Sequence, residues 1–280
     1  MRRSCLFIPA NNPGMLQNSS LFNADAIIYD LEDAVSVSEK DSARNLLKNY
    51  LKTFTVSAEV IVRINALDSP FFMDDLNEII SDKVDAIMLP KAHIQEIKKL
   101  GEILDNLEKV KKINKRIAIV PIIELASSVL EIEEIASLER IDGILLGAED
   151  LSSDMEFERT KSGEEITYPR SKIAYSAAAY KIDAIDTPFT DVKDNEALRK
   201  DALMAKRLGL NAKAAIHPNQ IAIINEVFSP TAKQIETALR IVMAAKSNKG
   251  AFSLDGKMVD KPIVDRSEKL LAKAKKYDLL

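Results

Sequence analysis

The sequence predicts an α/β fold, a TIM-type (β/α)8 barrel with a short C-terminal extension, and three observations carry that expectation. Apolar runs rich in Ile and Val begin near Cys5, Ala26, Glu59, Asp85, Ile117, Ile141, Ile182 and Lys213. Between most of them lie segments with helical spacing, such as Ala43, Leu46, Leu47, Tyr50 and Leu51, or Ile94, Ile97, Leu100 and Leu104. Eight strands alternating with helices at intervals of about 20–40 residues is the repeat of such a barrel. The rival architecture, an open doubly wound sheet, would be favoured by a glycine-rich phosphate turn. No G-x-G-x-x-G or G-x-x-x-x-G-K-[ST] occurs, and the 280 residues include only 8 glycines.

Taken in order, the elements are punctuated by turn chemistry. Asn12-Pro13-Gly14 follows the first strand, Ser69-Pro70 opens the helix after the third, and Ser127-Ser128 is placed to cap the helix after the fifth. The second strand ends in Asp30-Leu31-Glu32-Asp33, the third in Arg63, the fifth in Glu124, and the sixth, after Gly147, in Glu149 and Asp150. Ser152 to Pro169 is the longest polar connection, expected to shape a substrate entrance. After the eighth strand and His217-Pro218 the repeat stops. Pro230 to Asn248 reads as an amphipathic helix, residues 249–262 as a connection with a tight hairpin at Asp255-Gly256, and Asp265 to Lys276 as a last helix. We therefore divide the chain into a barrel, 1–229, and an extension, 230–280. The final segment, roughly 250–280, is too small to hold a core, so it is expected to dock on the barrel or on a neighbouring subunit.

Composition excludes several classes. With 39 basic and 43 acidic residues, a formal net charge of −4 and no basic tail, neither nucleic acid nor an anionic membrane is the expected partner. One cysteine, Cys5, allows no intramolecular disulfide and no thiolate cluster. The apolar run after Met1-Arg2-Arg3 is about five residues, short of a signal-peptide core and interrupted by prolines. A soluble, cytoplasmic protein is the expectation.

Parallel barrels bind ligands at the C-terminal ends of their strands, so ionisable residues there point to chemistry. Glu124 and Asp150 follow adjacent strands and suit one hard divalent cation such as Mg²⁺; the alternative is a helix N-terminal acid and a surface charge. Arg63 is costly to bury unless paired with an anion, either Asp30 or Glu32 or a substrate carboxylate or enolate. Asp30 and Glu32 point to one side, while Asp33 is expected to cap the next helix. His93 and His217, the only histidines, lack zinc spacing, and His217 reads as a strand-end hydrogen-bonding residue. Lys91 is a weaker candidate, for a Schiff base, and Asp260 by itself reads as an ordinary exposed acid.

The segments RSCLFIPANNPGML, DLEDAVSVSEKDSAR, VRIN, MLPKA, IIEL, GAEDL, AIDTPFTD, AAIHPNQI and DGKMVDKP, in this order, span nearly the whole chain. Together they resemble the family of the citrate lyase beta subunit and the malyl-, citramalyl- and citryl-CoA lyases, within the HpcH/HpaI aldolase group. The resemblance implies a barrel with a short lid, usually a homotrimer, using Mg²⁺ and a CoA thioester. It implies Glu124 and Asp150 as metal ligands and Glu32 near the metal's water. Arg63 would be the oxyanion and thioester clamp, and Asp260 a lid acid/base that reaches a neighbouring subunit. Arg170 and the His217-Pro218 loop are implied as CoA contacts. The implied reaction is retro-aldol cleavage of a 3-hydroxyacyl-CoA to acetyl-CoA and a 2-keto acid. Alternatives are a malyl-CoA thioesterase and a beta subunit working with alpha and acyl carrier subunits. His217-Pro218, where many beta subunits carry Asn-Pro, and the Ile185-Asp186-Thr187-Pro188 run lean toward free CoA.

Overall fold

The computed structural model describes residues 1–248 and 250–280; Lys249, the first residue of the connection 249–262, lies outside the described residues. The chain runs β1 (Ser4–Pro9), α1 (Pro13–Asn18), β2 (Ala26–Asp30), α2 (Lys40–Thr53), β3 (Glu59–Arg63), α3 (Phe72–Ile79), β4 (Ala86–Leu89) and α4 (Ile94–Val110). It continues through β5 (Ala118–Ile123), α5 (Ala126–Ser137), β6 (Gly143–Leu146), α6 (Ala148–Asp154), α7 (Thr167–Tyr180), β7 (Asp183–Asp186), α8 (Asn195–Leu208), β8 (Ala212–Ala215) and α9 (Ile221–Phe228). The eight strands close into a parallel barrel, β1 pairing with both β2 and β8. Each apolar run noted in the sequence supplies one strand, because a strand covered on both faces reads as a continuous apolar run.

The barrel interior is filled by alternate residues such as Cys5, Ile28, Ile61, Met88, Val120 and Ile185, all buried. Intervening residues such as Leu6, Ile27 and Tyr29 are buried as well. Register then decides what meets at the upper rim. Pro9 pairs with Asp30, and Asp30 pairs with Arg63, so the last residues of three strands form one row. At the opposite rim Arg2, 2% exposed, binds Glu59, Asp142 and Asp183 at 2.6, 2.9 and 3.1 Å. Ion pairing at that end serves closure of the barrel, since barrel chemistry sits at the other.

The chain divides into two compact units, Met1–Val227 and Phe228–Leu280. The second unit contains α10 (Ala232–Ser247), the hairpin β9 (Phe252–Leu254) and β10 (Lys257–Val259), and α11 (Lys261–Lys276). Thr231 and Gln234 form a reciprocal capping box at the start of α10. The hairpin turns at Asp255 and Gly256, both with positive φ (53° and 74°), the type I′ geometry that an Asp-Gly pair favours. The last helix begins at Lys261, four residues before the expected Asp265, because Asp260 accepts the Ile263 N–H at 3.3 Å and Pro262 suits the first turn. The expected cap at Ser127-Ser128 is not formed: Leu125 holds the N-cap position of α5, and the Ser128 hydroxyl donates to the Ala92 carbonyl at 2.8 Å. Among the described residues no helix is long and apolar enough to cross a membrane.

Candidate active site

Arg63 is the positive centre of the upper rim. Its Nε and Nη2 donate to the two oxygens of Asp30 at 2.8 and 2.6 Å, a bidentate pair fixed by the β2–β3 register. Nη1 donates to Asp33 Oδ2 at 3.2 Å and lies 3.0 Å from Glu32 Oε2. Its guanidinium sits 5.1 Å from the Phe7 ring centroid. Burial works against the charge of Arg63, but the hydrogen bonds and charge of Asp30 outweigh it and raise its pKa. Of the two alternatives the sequence left open, the ion pair with Asp30 is the one observed. Arg63 is in an ion pair, and it also lines a cavity of about 390 Å³ with Phe7, Pro9, Ala34, Pro188 and Ile216.

The turn Asp30-Leu31-Glu32-Asp33 is built on Asp30. Its carboxylate also accepts the N–H groups of Glu32 and Ala34 at 2.9 and 3.1 Å, an Asx-type turn. Lys40 Nζ closes it by donating to the carbonyls of Leu31 and Glu32 at 2.7 and 2.6 Å. Asp33 is therefore a partner of Arg63 and not the cap that the sequence suggested. Glu32 Oε2 is buried, and the Arg63 approach is not aligned as a hydrogen bond, so this oxygen has no hydrogen-bond donor. Burial is the largest cause that pushes the Glu32 carboxyl up to about 7, with Arg63 opposing and Asp33 and Asp30 adding to it.

Glu124, 3% exposed, follows β5 and faces Asp150 in the first turn of α6. Burial lifts its carboxyl to about 8; the Lys91 N–H opposes the shift, and the charges of Asp150 and Glu32 reinforce it. Two local features hold this pair. Lys91 adopts the left-handed conformation (φ 48°), which aims its N–H at Glu124 Oε1, 2.6 Å away. Gly147 lets the carboxylate approach the backbone: a Cβ there would lie 2.7 Å from Glu124 Cβ and 2.8 Å from both Glu124 Oε2 and Ile122 Cγ2. Gly147→Ala is thus expected to destabilise the fold by about 1–3 kcal/mol through overpacking and to displace Glu124; thermal unfolding with and without Mg²⁺ reads both effects.

Asp154, at the other end of α6, accepts the Ala126 N–H at 2.7 Å and so ties α6 to the start of α5. Glu149 turns away to Arg159, 3.1 Å distant, which also binds Glu165 at 2.8 Å and folds the loop 152–169 back onto α6. Thr187 Oγ1 accepts the N–H of Ala148, the first residue of α6, at 3.3 Å. Nothing in the sequence marked Thr187 for this role beyond the Asp186-Thr187-Pro188 ending of β7.

The structure corrects the assignment of Arg170 to CoA. Arg170 has no accessible surface; it binds Asp186 at 2.8 Å and Asp201 at 2.6 Å. Lys213, equally buried, reaches the same two aspartates at 2.6 Å each and the Thr187 carbonyl at 2.7 Å. Two cations thus neutralise two carboxylates beneath the β7 and β8 ends, and a lysine within the apolar run Ala212–Ala215 was the sequence clue. His217 and Pro218 lie after β8, where exposed His217 caps a 3₁₀ turn by accepting the Asn219 N–H at 3.2 Å. Asp260 belongs to the second unit, where it caps α11.

Arg63, Glu32, Glu124 and Asp150 are therefore assembled at one rim. Among the described residues no three or more His, Cys, Asp or Glu side chains are grouped closely enough to hold a metal ion. The protein's offer to an ion is the carboxylate pair, which suits a hard cation that keeps water or substrate oxygens. Burial first, and then the neighbouring charges of Asp150 and Glu32, raise the Glu124 carboxyl, and the Glu32 oxygen beside it has no hydrogen-bond donor; a cation held there would offset both.

The family model described as HpcH/HpaI aldolase/citrate lyase matches residues 3–218. The chain is 37% identical over 281 residues to the citrate lyase subunit beta of Leuconostoc mesenteroides subsp. cremoris, covering 97% of this chain and 92% of that one. It is 28% identical to the mitochondrial citramalyl-CoA lyase of Rattus norvegicus, covering 98% and 86%. A crystal structure of CitE from Mycobacterium tuberculosis, in complex with magnesium, acetoacetate and coenzyme A, superimposes with a TM-score of 0.78 at 28% identity, covering 97% of each chain. By these matches the chain belongs to the HpcH/HpaI aldolase/citrate lyase family.

Proposed function

We propose that this protein is a Mg²⁺-dependent carbon–carbon lyase that cleaves a short 3-hydroxyacyl-CoA into acetyl-CoA and a 2-keto acid, and runs the reverse condensation. The observation that carries this reading is the juxtaposition of a clamped guanidinium, Arg63, with the buried carboxylate pair Glu124 and Asp150 at the mouth of one barrel. Glu124 and Asp150 would hold the cation, which when bound supplies a Lewis acid for the oxygens of the 2-keto acid half. Arg63, already oriented by Asp30 and facing the cavity, donates to the thioester oxygen as enolate charge develops there. Because Asp30 fixes the guanidinium before substrate arrives, little reorganisation accompanies the step. Asp260, supplied by the lid of a neighbouring subunit in a homotrimer, moves the hydroxyl proton. His217 and Pro218 contact the CoA portion. The magnesium, acetoacetate and coenzyme A in the M. tuberculosis relative support the cofactor and the thioester.

The second reading is the beta subunit of a citrate lyase complex, acting on a citryl thioester borne by an acyl carrier. The higher identity to citrate lyase subunit beta, 37% against 28% for citramalyl-CoA lyase, favours it. One assay separates the readings. Purified protein with Mg²⁺ is offered malyl-, citramalyl- and citryl-CoA, and acetyl-CoA and the keto acid are measured. Cleavage of a free CoA thioester is expected; turnover only with an acyl carrier partner would establish the second reading, and free CoA with malate but no acetyl-CoA would mean a thioesterase.

Proton competition gives a further expectation. A Glu124 carboxyl lifted to about 8 by burial is protonated at neutral pH without a cation, so Mg²⁺ must displace that proton. Apparent Mg²⁺ affinity should therefore rise with pH up to about 8 and level off above it. The stability linkage runs the other way. A carboxyl raised in the folded state contributes fully below its unfolded value and loses that contribution as pH climbs through the folded value. Cation-free protein should lose stability from Glu124 between about pH 4.5 and 8, and the Mg²⁺-induced rise in Tm should be larger at pH 8 than at pH 6. Equal shifts at the two pH values would remove Glu124 from the coordination.

A further inference from the structure

Beside the carboxylate pair, between the start of α4 and the first turns of α5, lies a second constellation that the lyase chemistry does not use. Ser127 Oγ is 3.5 Å from His93 Nε2, and His93 Nδ1 is 3.2 Å from Glu131 Oε2. The hydrogen-bond directions follow from the donors available. Glu131 Oε2 accepts the Ile94 N–H at 3.1 Å, so the carboxylate is held as an acceptor against the start of α4. A carboxylate facing Nδ1 favours the tautomer that carries the proton on Nδ1, which leaves Nε2 as the acceptor facing the Ser127 hydroxyl. Ser127 is exposed, and His93 and Glu131 are partly buried, so the serine is open to a substrate while its base is held from behind.

We propose that Ser127, His93 and Glu131 form a serine-nucleophile hydrolytic site for small acyl esters and thioesters, acting without a metal ion. Ser127 Oγ bonds to the acyl carbon as its proton passes to His93 Nε2; the C–S bond breaks, and the departing thiolate takes that proton. Water then adds to the acyl-serine while Nε2 takes a proton from it. The bond from the acyl carbon to Oγ breaks, the carboxylic acid leaves, and the proton on Nε2 returns to Oγ. Glu131 keeps the imidazole oriented and stabilises its charged form. Ser127 lies in the first turn of the twelve-residue helix α5, whose N-cap residue Leu125 supplies no side-chain cap. The Ala126 N–H is taken by Asp154, so the N–H groups of Ser127 and Ser128 are the donors for the developing oxyanion. The separation of 3.5 Å is long for the proton transfer, as such contacts often are in free enzymes, and the proposed step requires it to shorten when substrate binds.

The same contacts have a purely structural use, stapling α4 to α5, and the experiment is chosen to tell the two apart. Full-length protein in EDTA is assayed with p-nitrophenyl acetate and with acetyl-CoA, and the products are separated by mass spectrometry after acid quench. Wild type should hydrolyse the ester at least about a hundredfold faster than Ser127→Ala or His93→Gln and about tenfold faster than Glu131→Gln. An acetyl group should be found on Ser127. Equal rates in wild type and Ser127→Ala, or acetyl found on other residues and absent from Ser127, would overturn the proposal. Ser127→Ala removes one exposed hydroxyl, so an unchanged Tm in that variant ensures that a lost rate is not lost folding. The chelator removes the cation that the lyase reading requires, so neither result bears on the fate of that reading.

Discussion

Asp150→Asn is expected to abolish Mg²⁺-dependent cleavage, lowering turnover by about a hundredfold or more and weakening Mg²⁺ binding to a similar degree. The substitution keeps the size and placement of the side chain and removes the charge that, with Glu124, would neutralise a divalent cation. Because Asp150 is exposed in the first turn of a short helix, the fold should lose no more than about 0.5 kcal/mol. Glu124 should respond as well, since one cause of its raised pKa is removed. Calorimetric titration of Mg²⁺ into both proteins decides the matter: wild-type affinity in the variant would sink the ligand assignment, whatever happens to turnover.

Arg63→Ala should lower turnover by about 10²–10³-fold through loss of the oxyanion donor. It should also cost about 3–5 kcal/mol of stability, because Asp30, 1% exposed, is left without its guanidinium. The stability loss has a specific route. Asp30 also orders the Glu32 and Ala34 N–H groups, so an Asp30 displaced by the loss of its partner loosens the turn that carries Glu32. Arg63→Lys separates the contributions. It keeps a positive charge near Asp30 and recovers much of the stability, but it lacks the bidentate fork and recovers little turnover. Full activity in Arg63→Lys would show that a point charge suffices and that no directed donor acts on the substrate. The proposed lid role of Asp260 is tested with the same variant: mixing Arg63→Ala and Asp260→Ala subunits should restore part of the activity if the lid serves a neighbouring site, and none if each chain is self-contained.

Much of this site is legible from one strand at a time. Arg63, Glu124 and Asp150 could be singled out because each ends or closely follows an apolar run, and a charged residue in that position sits at the rim of a parallel barrel. What could not be read is how charges divide between chemistry and structure. Arg170 and Arg63 look alike as isolated arginines, yet Arg170 is bound on both sides by Asp186 and Asp201 with no surface left, whereas Arg63 is bound to Asp30 and still lines a cavity. The partners lie 16, 31 and 33 positions away in sequence, beyond the reach of any periodicity. Asp33 and the Ser127-Ser128 pair depart from expectation for a related reason. Propensity names residues able to cap, and a tertiary partner, Arg63 for Asp33 and Ala92 for Ser128, outcompetes the cap.

The sequence by itself determined the eightfold alternation of strand and helix, the hairpin at Asp255-Gly256, and the set of ionisable residues at strand ends, since each depends on contacts within a few residues. Only the tertiary structure decided that Asp30 and Arg63 share a register row, that Lys91 bends its backbone to present an N–H to Glu124, and that Gly147 leaves room for the carboxylate. The reason is the closure of the barrel. It brings strand ends distant in sequence to one rim, where burial and neighbouring charges, and not residue type, set what each carboxylate can do.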